Sequence, residues 1–377
     1  MYLQTLQLTN FKNYESLNLE LSPGLNGFVG NNGCGKTNIL DAVYYLSMCK
    51  SYLNSNDRQN IRFDQSFFSI SGNWNISQKM TNVHCAFKIG AKKVIKLNKK
   101  EYEKISEHIG RFPLVFISPY DGDLIAEGSE LRRKWMDGIL VQIDREYLEQ
   151  LQFYAKILDQ RNALLKSMFE HRLFDRESME VWDIQLITAG ELIHKKRQQF
   201  LEEFIPVFQK CYKEIGGNKE EVGLSYRSQL NEGSFIDLLK DSEKRDAFSQ
   251  YTNVGIHKDD LLFRINEHPA KKFGSQGQQK SFVIALRLAQ YDWLKNHLSI
   301  SPVLLLDDVF DKLDGKRVQK LIQMVTSLDF GQVIVTDTDI ERMRKLFEGL
   351  NVPSRIFEVK NQEVEIIHEI EFHESER

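Results

Sequence analysis

Three short segments of this chain carry residue types that can do chemistry together. Gly30-Asn31-Asn32-Gly33-Cys34-Gly35-Lys36-Thr37 satisfies G-x-x-x-x-G-K-[ST], the spacing of a loop that cradles a polyphosphate. In such a loop the glycines let backbone N–H groups curl around phosphate oxygens, Lys36 neutralises terminal phosphate charge, and Thr37 offers a hydroxyl to magnesium. The second segment, Val303-Leu304-Leu305-Leu306-Asp307-Asp308, is an apolar run ending in two carboxylates. Asp307 suits the shell of a magnesium ion, and Asp308 suits a residue that orients or deprotonates an attacking water. The third, Gly274-Ser275-Gln276-Gly277-Gln278, places a hydroxyl and a close-approach glycine at the start of a helix, whose positive end suits an anion. Taken singly, the acid pair also fits a strand end entering a turn, and Ser-x-Gly-Gln also fits a plain helix cap. Together with the loop at 30–37 they favour a site for ATP and Mg2+. Asn98-Lys99-Lys100-Glu101 only approximates the Asn-Lys-x-Asp element that reads guanine, so a GTPase is not expected.

The elements that must hold these residues can be read from periodicity. Leu25 to Val29 is an apolar strand before the glycine loop, and Ile39, Leu40, Val43 and Leu46 follow at helical spacing, giving strand, loop, helix. Leu3, Leu6 and Leu8 begin a strand-like opening, and Leu17, Leu19 and Leu21 alternate with polar neighbours as a half-buried strand does. Phe67 to Ile95 reads as further short strands, with lysines at 88, 92, 93, 96, 99, 100 and 104. After Pro119 the pattern turns helical: Leu131, Trp135, Ile139 and Ile143, then Leu151, Tyr154 and Leu158, with Ser129 as the expected N-cap. Breaks fall near Asp175 and Gly216-Gly217, and strand-like sequence returns after Phe248. An amphipathic helix is expected from Lys280 to Trp293, and the tail from Glu363 reads as an edge strand with a frayed end. The expected fold is therefore α/β: a head from residues 1–115 and 256–377, interrupted by a mainly helical lobe at 116–255.

Composition narrows the function classes. With 377 residues, 41% hydrophobic and 27% charged, the chain has globular proportions and room for two domains. Its 50 basic and 53 acidic residues give a net charge of -3, so a nucleic-acid site has to be a local patch. Cys34, Cys49, Cys85 and Cys211 form no CxxC pair, which argues against zinc or a disulfide framework and fits a reducing cytoplasm. No signal peptide or stretch of roughly 18–20 apolar residues suggests export or a membrane partner.

The three segments, in this order, resemble the ATPase heads of the ABC and SMC type: the phosphate loop, a signature motif at 274–278 and a Walker B strand at 303–308. Asp311-Lys312-Leu313-Asp314 falls where that superfamily has its D-loop. Thr336-Asp337-Thr338 falls where transporters place a switch histidine, which is absent here. The intervening residues are more specific. Phe112-Pro113-Leu114-Val115-Phe116-Ile117-Ser118-Pro119, Gly128-Ser129, Arg132-Arg133-Lys134-Trp135-Met136-Asp137, Gln160-Arg161-Asn162 and Gly255-Ile256-His257-Lys258-Asp259-Asp260-Leu261 are similar to motifs of the RecF family, in family order. Ile256 and Lys258 depart from that family's Gly-Pro-His-Arg-Asp-Asp-Leu.

The resemblance implies a P-loop ABC/SMC-type head with an inserted helical lobe. It implies an ATP-dependent homodimer that binds DNA, both duplex and single-strand to double-strand junctions. RecR and RecO would be its partners in loading RecA during repair, replication and the SOS response. Ser275, Gly277 and Gln278 would then contact the γ-phosphate held by the other subunit. Hydrolysis would be slow and DNA-responsive. A partner-remodelling or transport ATPase, and a module holding ATP only as a structural ligand, are the competing readings. For DNA contact the candidates are the lysines from 88 to 104 and Arg132 with Arg133, the arginines alternatively supporting the nucleotide site or an interdomain contact. His257, Asp259 and Asp260 read as an interlobe hydrogen-bond network in preference to a metal site.

Overall fold

The computed structural model describes residues 1–54, 56–172, 175–217, 220–310, 320, 330–348 and 352–370. The chain divides into two compact units, Met1–Asp121 with Ile284–Arg377, and Gly122–Val283.

The first unit contains two six-stranded sheets. In one, the order is Glu363–Ile370, Ser354–Lys360, Leu25–Val29, Val333–Asp337, Val303–Leu306, Leu114–Ile117. Every neighbouring pair is parallel except the antiparallel edge formed by Glu363–Ile370. The strands Leu25–Val29, Val303–Leu306, Val333–Asp337 and Leu114–Ile117 are buried along their whole length, which explains their mostly apolar sequences, and the polar exceptions Asn26, Thr336 and Asp337 are hydrogen-bonded or ion-paired. The helix Lys36–Met48 leaves the end of Leu25–Val29 through the glycine loop. The other sheet is an antiparallel meander, ordered Tyr14–Glu20, Tyr2–Phe11, Phe67–Ile76, Lys79–Lys88, Val94–Leu97, Lys100–Glu101. Alternation puts Phe68, Ile70 and Trp74 inward, and Phe68 meets Phe11 and Tyr45 edge-on at 5.4 and 5.5 Å. Residues distant in sequence are joined by one buried amide. Gln332 accepts from Leu3 N at 2.8 Å and donates to the carbonyls of Leu3 and Ser22 at 2.7 and 2.8 Å.

The second unit is mainly helical. Its principal helices are Ser129–Leu140, Arg145–His171, Arg176–Gly216 and Phe235–Ser249. Asp144, Asp175 and Ser234 cap the last three, each accepting a backbone N–H of the first turn. Ser129 is not the N-cap expected from the sequence: Gly128 takes that place, and the Ser129 hydroxyl accepts from Arg133 at 2.8 Å. The core is aromatic, with Trp135 against Phe204 at 5.5 Å and Phe282 against Phe208 and Phe263 at 4.8 and 5.1 Å. A small antiparallel sheet, His268–Pro269, Asp260–Ile265, Val222–Arg227, completes it. Thus the segment 256–283, grouped with the head in the sequence reading, is compact with the helices, because Asp260–Ile265 finds its partner strand in Val222–Arg227. The helix Gln276–His297 starts in this unit and ends in the other.

Candidate functional site

The glycine loop begins where the fully buried strand Leu25–Val29 runs out, a natural place for ligands in a parallel sheet. Gly33 and Gly35 have φ of 80° and 113°, a region that side chains avoid. A Cβ on Gly35 would also come within 2.4 Å of Asn13 Nδ2 and 2.7 Å of Tyr14 Oη. No side chain caps the helix Lys36–Met48, and its first turn holds no acid, so its leading N–H groups face outward without an internal anion. Asn13 braces the loop, donating to Cys34 O at 3.3 Å and accepting from Asn38 Nδ2 at 2.6 Å. A depression of about 530 Å³ opens here, lined by Asn31, Asn32, Gly33 and Cys34 together with Asn13 and residues 359–362.

Lys36 is only 4% exposed and folds back onto its own loop, donating to the carbonyls of Gly30 at 2.8 Å and Asn31 at 3.1 Å. Those are contacts that phosphate oxygens can replace without moving the backbone. Thr37 Oγ1 donates to the Asp307 carboxylate at 2.9 Å, joining residues 270 positions apart. The pair is a hydroxyl and a carboxylate side by side, the oxygen donor set that magnesium takes. Asp307 is buried, and that burial pushes its carboxyl above the usual range against the hydrogen bonds from Thr336 and Thr37. A cation beside it would offset the burial.

In sequence Thr336 marks only the position of an absent histidine, and the structure gives it more to do. Its hydroxyl donates to Asp307 Oδ1 at 2.9 Å and accepts from Asp308 N at 2.9 Å, so one side chain fixes both acids. Asp308 sits at φ 42°, a strained value for a carboxylate residue leaving a strand. Asp337 is buried and paired with Arg342 at 2.8 Å. Residues 311–314, the expected D-loop, lie outside the described residues.

The first unit therefore brings together Gly30–Thr37, Asp307 and Asp308. Ser275, Gly277 and Gln278 belong to the second unit. There Ser275 caps the helix Gln276–His297 reciprocally: Gln278 N donates to Ser275 Oγ at 3.3 Å, and Ser275 N donates to Gln278 Oε1 at 2.6 Å. The cap uses the serine oxygen as acceptor and leaves its proton to donate. Ser275 is exposed and Gly277 half-buried.

The other candidates separate by their partners. Lys88, Lys92, Lys99, Lys100 and Lys104 are exposed on the outer strands of the meander and in the turns beside them, whereas Lys93 turns inward to Asp57 at 2.8 Å and Cys49 O at 2.7 Å. Arg132 and Arg133 are committed within the second unit, Arg132 to Asp260 at 2.8 Å and Arg133 to the Asp259 carbonyl at 2.6 Å. Asp259 also holds the buried Arg197 at 2.9 Å and accepts from Tyr226. His257 bridges Tyr154 Oη at 2.8 Å and the Thr252 carbonyl at 3.0 Å. Arg197 itself, with Asp137 at 2.9 Å, carried no sequence signal beyond being an arginine on a helix.

Residues 2–365 match the RecF/RecN/SMC N terminal domain model. Proteins named DNA replication and repair protein RecF are 47% identical in Phocaeicola vulgatus, over 97% of this chain and 98% of that one, and 47% identical in Flavobacterium johnsoniae, over 95% and 99%. A solved structure of the recombination mediator protein RecF-ATP in the RecFOR pathway superposes with a TM-score of 0.88 at 28% identity, covering 97% of this chain and 98% of that one. An Smc head domain from Pyrococcus furiosus, at 17% identity over 97% of this chain and 96% of that one, shares the fold with a TM-score of 0.56.

Proposed function

The chain belongs to the RecF family of DNA replication and repair proteins, and from that premise we propose that it is an ATP-switched, DNA-binding dimer of recombinational repair. The observation that carries the reading is the meeting of Lys36, Thr37, Asp307 and Thr336 at the end of the parallel strands of one sheet.

ATP lies with its phosphates on the Gly30–Thr37 loop. Lys36 exchanges the Gly30 and Asn31 carbonyls for phosphate oxygens, and the leading amides of Lys36–Met48 add their dipole. Thr37 and Asp307 would hold Mg2+, which when bound would supply charge neutralisation on the phosphates. Asp308, oriented through its N–H on Thr336, positions the water and takes its proton. Ser275, Gly277 and Gln278 of one copy present a hydroxyl and a helix end to the γ-phosphate held by a second copy, so ATP drives dimerisation by mass action.

The exposed lysines from 88 to 104 supply a local positive face for duplex or junction DNA. Hydrolysis is slow, responds to DNA and resets the dimer in the cytoplasm, with RecO and RecR as partners in loading RecA. Among the described residues no helix is long and apolar enough to cross a membrane.

The test is fluorescence anisotropy of gapped and duplex DNA with ATP, with ADP and without nucleotide, at fixed salt. ATP-dependent binding that Lys36→Met abolishes is the expected result. Binding that ignores nucleotide, or no binding at all, overturns the proposal.

A further inference from the structure

We infer that Glu220 is a positioning residue for the signature segment, acting through Gln278. The inference rests on the proposed role of Ser275 and Gln278 in meeting a second copy's nucleotide. Gln278 Nε2 donates to Glu220 Oε1 at 2.7 Å, and the buried Tyr212 donates its hydroxyl to Glu220 Oε2. At its other end Gln278 Oε1 accepts from Ser275 N at 2.6 Å. A continuous chain of donors and acceptors thus runs from Tyr212 through Glu220 and Gln278 to Ser275.

The chain sets which way the Gln278 amide faces. A glutamine amide offers an acceptor at one end and a donor at the other. Ser275 N requires the acceptor end, and the Glu220 carboxylate requires the donor end, in a charge-assisted bond stronger than a neutral one. With both neighbours in place the amide has one orientation. The Ser275 N–H is consumed internally, and the serine hydroxyl keeps its proton for an outside anion. Tyr212 holds the carboxylate from the rear, so Glu220 is itself fixed. Without Glu220 the amide is free to rotate, Ser275 N loses its acceptor, and the loop before the helix loses its single geometry.

The experiment is sedimentation velocity of the full chain with Mg2+ and a non-hydrolysable ATP analogue, on wild type, Glu220→Ala, Glu220→Gln, Gln278→Ala and the double variant Glu220→Ala/Gln278→Ala. Glu220→Ala weakens analogue-driven association about tenfold, the size of one charge-assisted bond to a positioning group. Glu220→Gln keeps an acceptor for Gln278 and stays within about twofold of wild type, as a conserved bond predicts. In the Gln278→Ala background the Glu220→Ala effect shrinks to less than about twofold, because the two residues act as one unit. A purely structural role for Glu220 would instead give a full additional loss in that background, and that result overturns the inference. So does association of Glu220→Ala equal to a wild type that does dimerise. A wild type that stays monomeric with the analogue overturns the sandwich reading itself, and the inference with it.

Discussion

The loop at 30–37 and the loop at 274–278 solve opposite problems. The first is assembled from distant parts of one chain, with buried charged groups beneath the exposed residues Asn31, Asn32 and Gly33: Lys36 and Asp307 are 4% and 2% exposed, and Asp307 bonds to Thr37 and Thr336 across sequence gaps of 270 and 29. The second is open. Ser275 is exposed, and its bonds to Gln278 span three residues. A site finished within one protomer can be buried and over-determined. A segment that awaits another molecule has to keep its helix end satisfied by near neighbours until the outside anion arrives.

Arg197→Ala breaks this comparison most severely if stability is shared between the units. Removing the guanidinium leaves Asp137 and Asp259 uncompensated, a loss of about 3–5 kcal/mol. Hydrogen exchange should show the loss within residues 122–283 and leave Lys36–Met48 protected; equal loss in both would dissolve the distinction.

The next effect is a pH dependence. Burial pushes His257 down to about 4 from the ordinary 6.5, so it stays neutral in the fold while the unfolded chain takes up its proton. The contribution is complete above pH 6.5 and is lost as pH falls through that window towards 4, on the order of 3 kcal/mol in all. Urea midpoints from pH 7.5 to 4.5 should fall less steeply for His257→Gln than for wild type.

Lys36→Met sharpens the contrast on the nucleotide side, with about 100-fold weaker binding of a fluorescent ATP analogue. Ser275→Ala should leave that affinity untouched and weaken ATP-driven association by roughly tenfold, readable by light scattering. An equal fall in both readings would mean that the two loops are one site in a single protomer.

The phosphate loop was legible in the sequence because backbone shape dictates its residue types. φ values of 80° and 113° demand glycine, and a strand buried along its length demands an apolar run before Asp307. What the sequence hid was everything contributed from elsewhere in the chain. Asn13 and Tyr14 press on Gly35 from a hairpin turn with no motif of its own. Thr336 stands where transporters place a switch histidine, and the sequence carries no sign that its hydroxyl serves both acids. Arg132 and Arg133 read as candidates for DNA contact, for the nucleotide site or for an interdomain contact, and the Asp260 carboxylate and Asp259 carbonyl that they hold lie more than 120 residues away. Local rules find residues whose conformation is special; they do not find those that matter because of who arrives beside them.

The order of strands around Leu25–Val29 has a consequence for the protein's birth on the ribosome. Both neighbours of that strand, Val333–Asp337 and Ser354–Lys360, are translated roughly 300 residues after it. At about 5–20 residues per second the nascent chain carries this unpaired strand, apolar but for Asn26, for at least ~15 seconds. A chain terminated before residue 333 would have the whole phosphate loop and neither flank to set it. Truncated products should therefore be targets for chaperones and proteases, with no competence to compete with the finished protein for nucleotide.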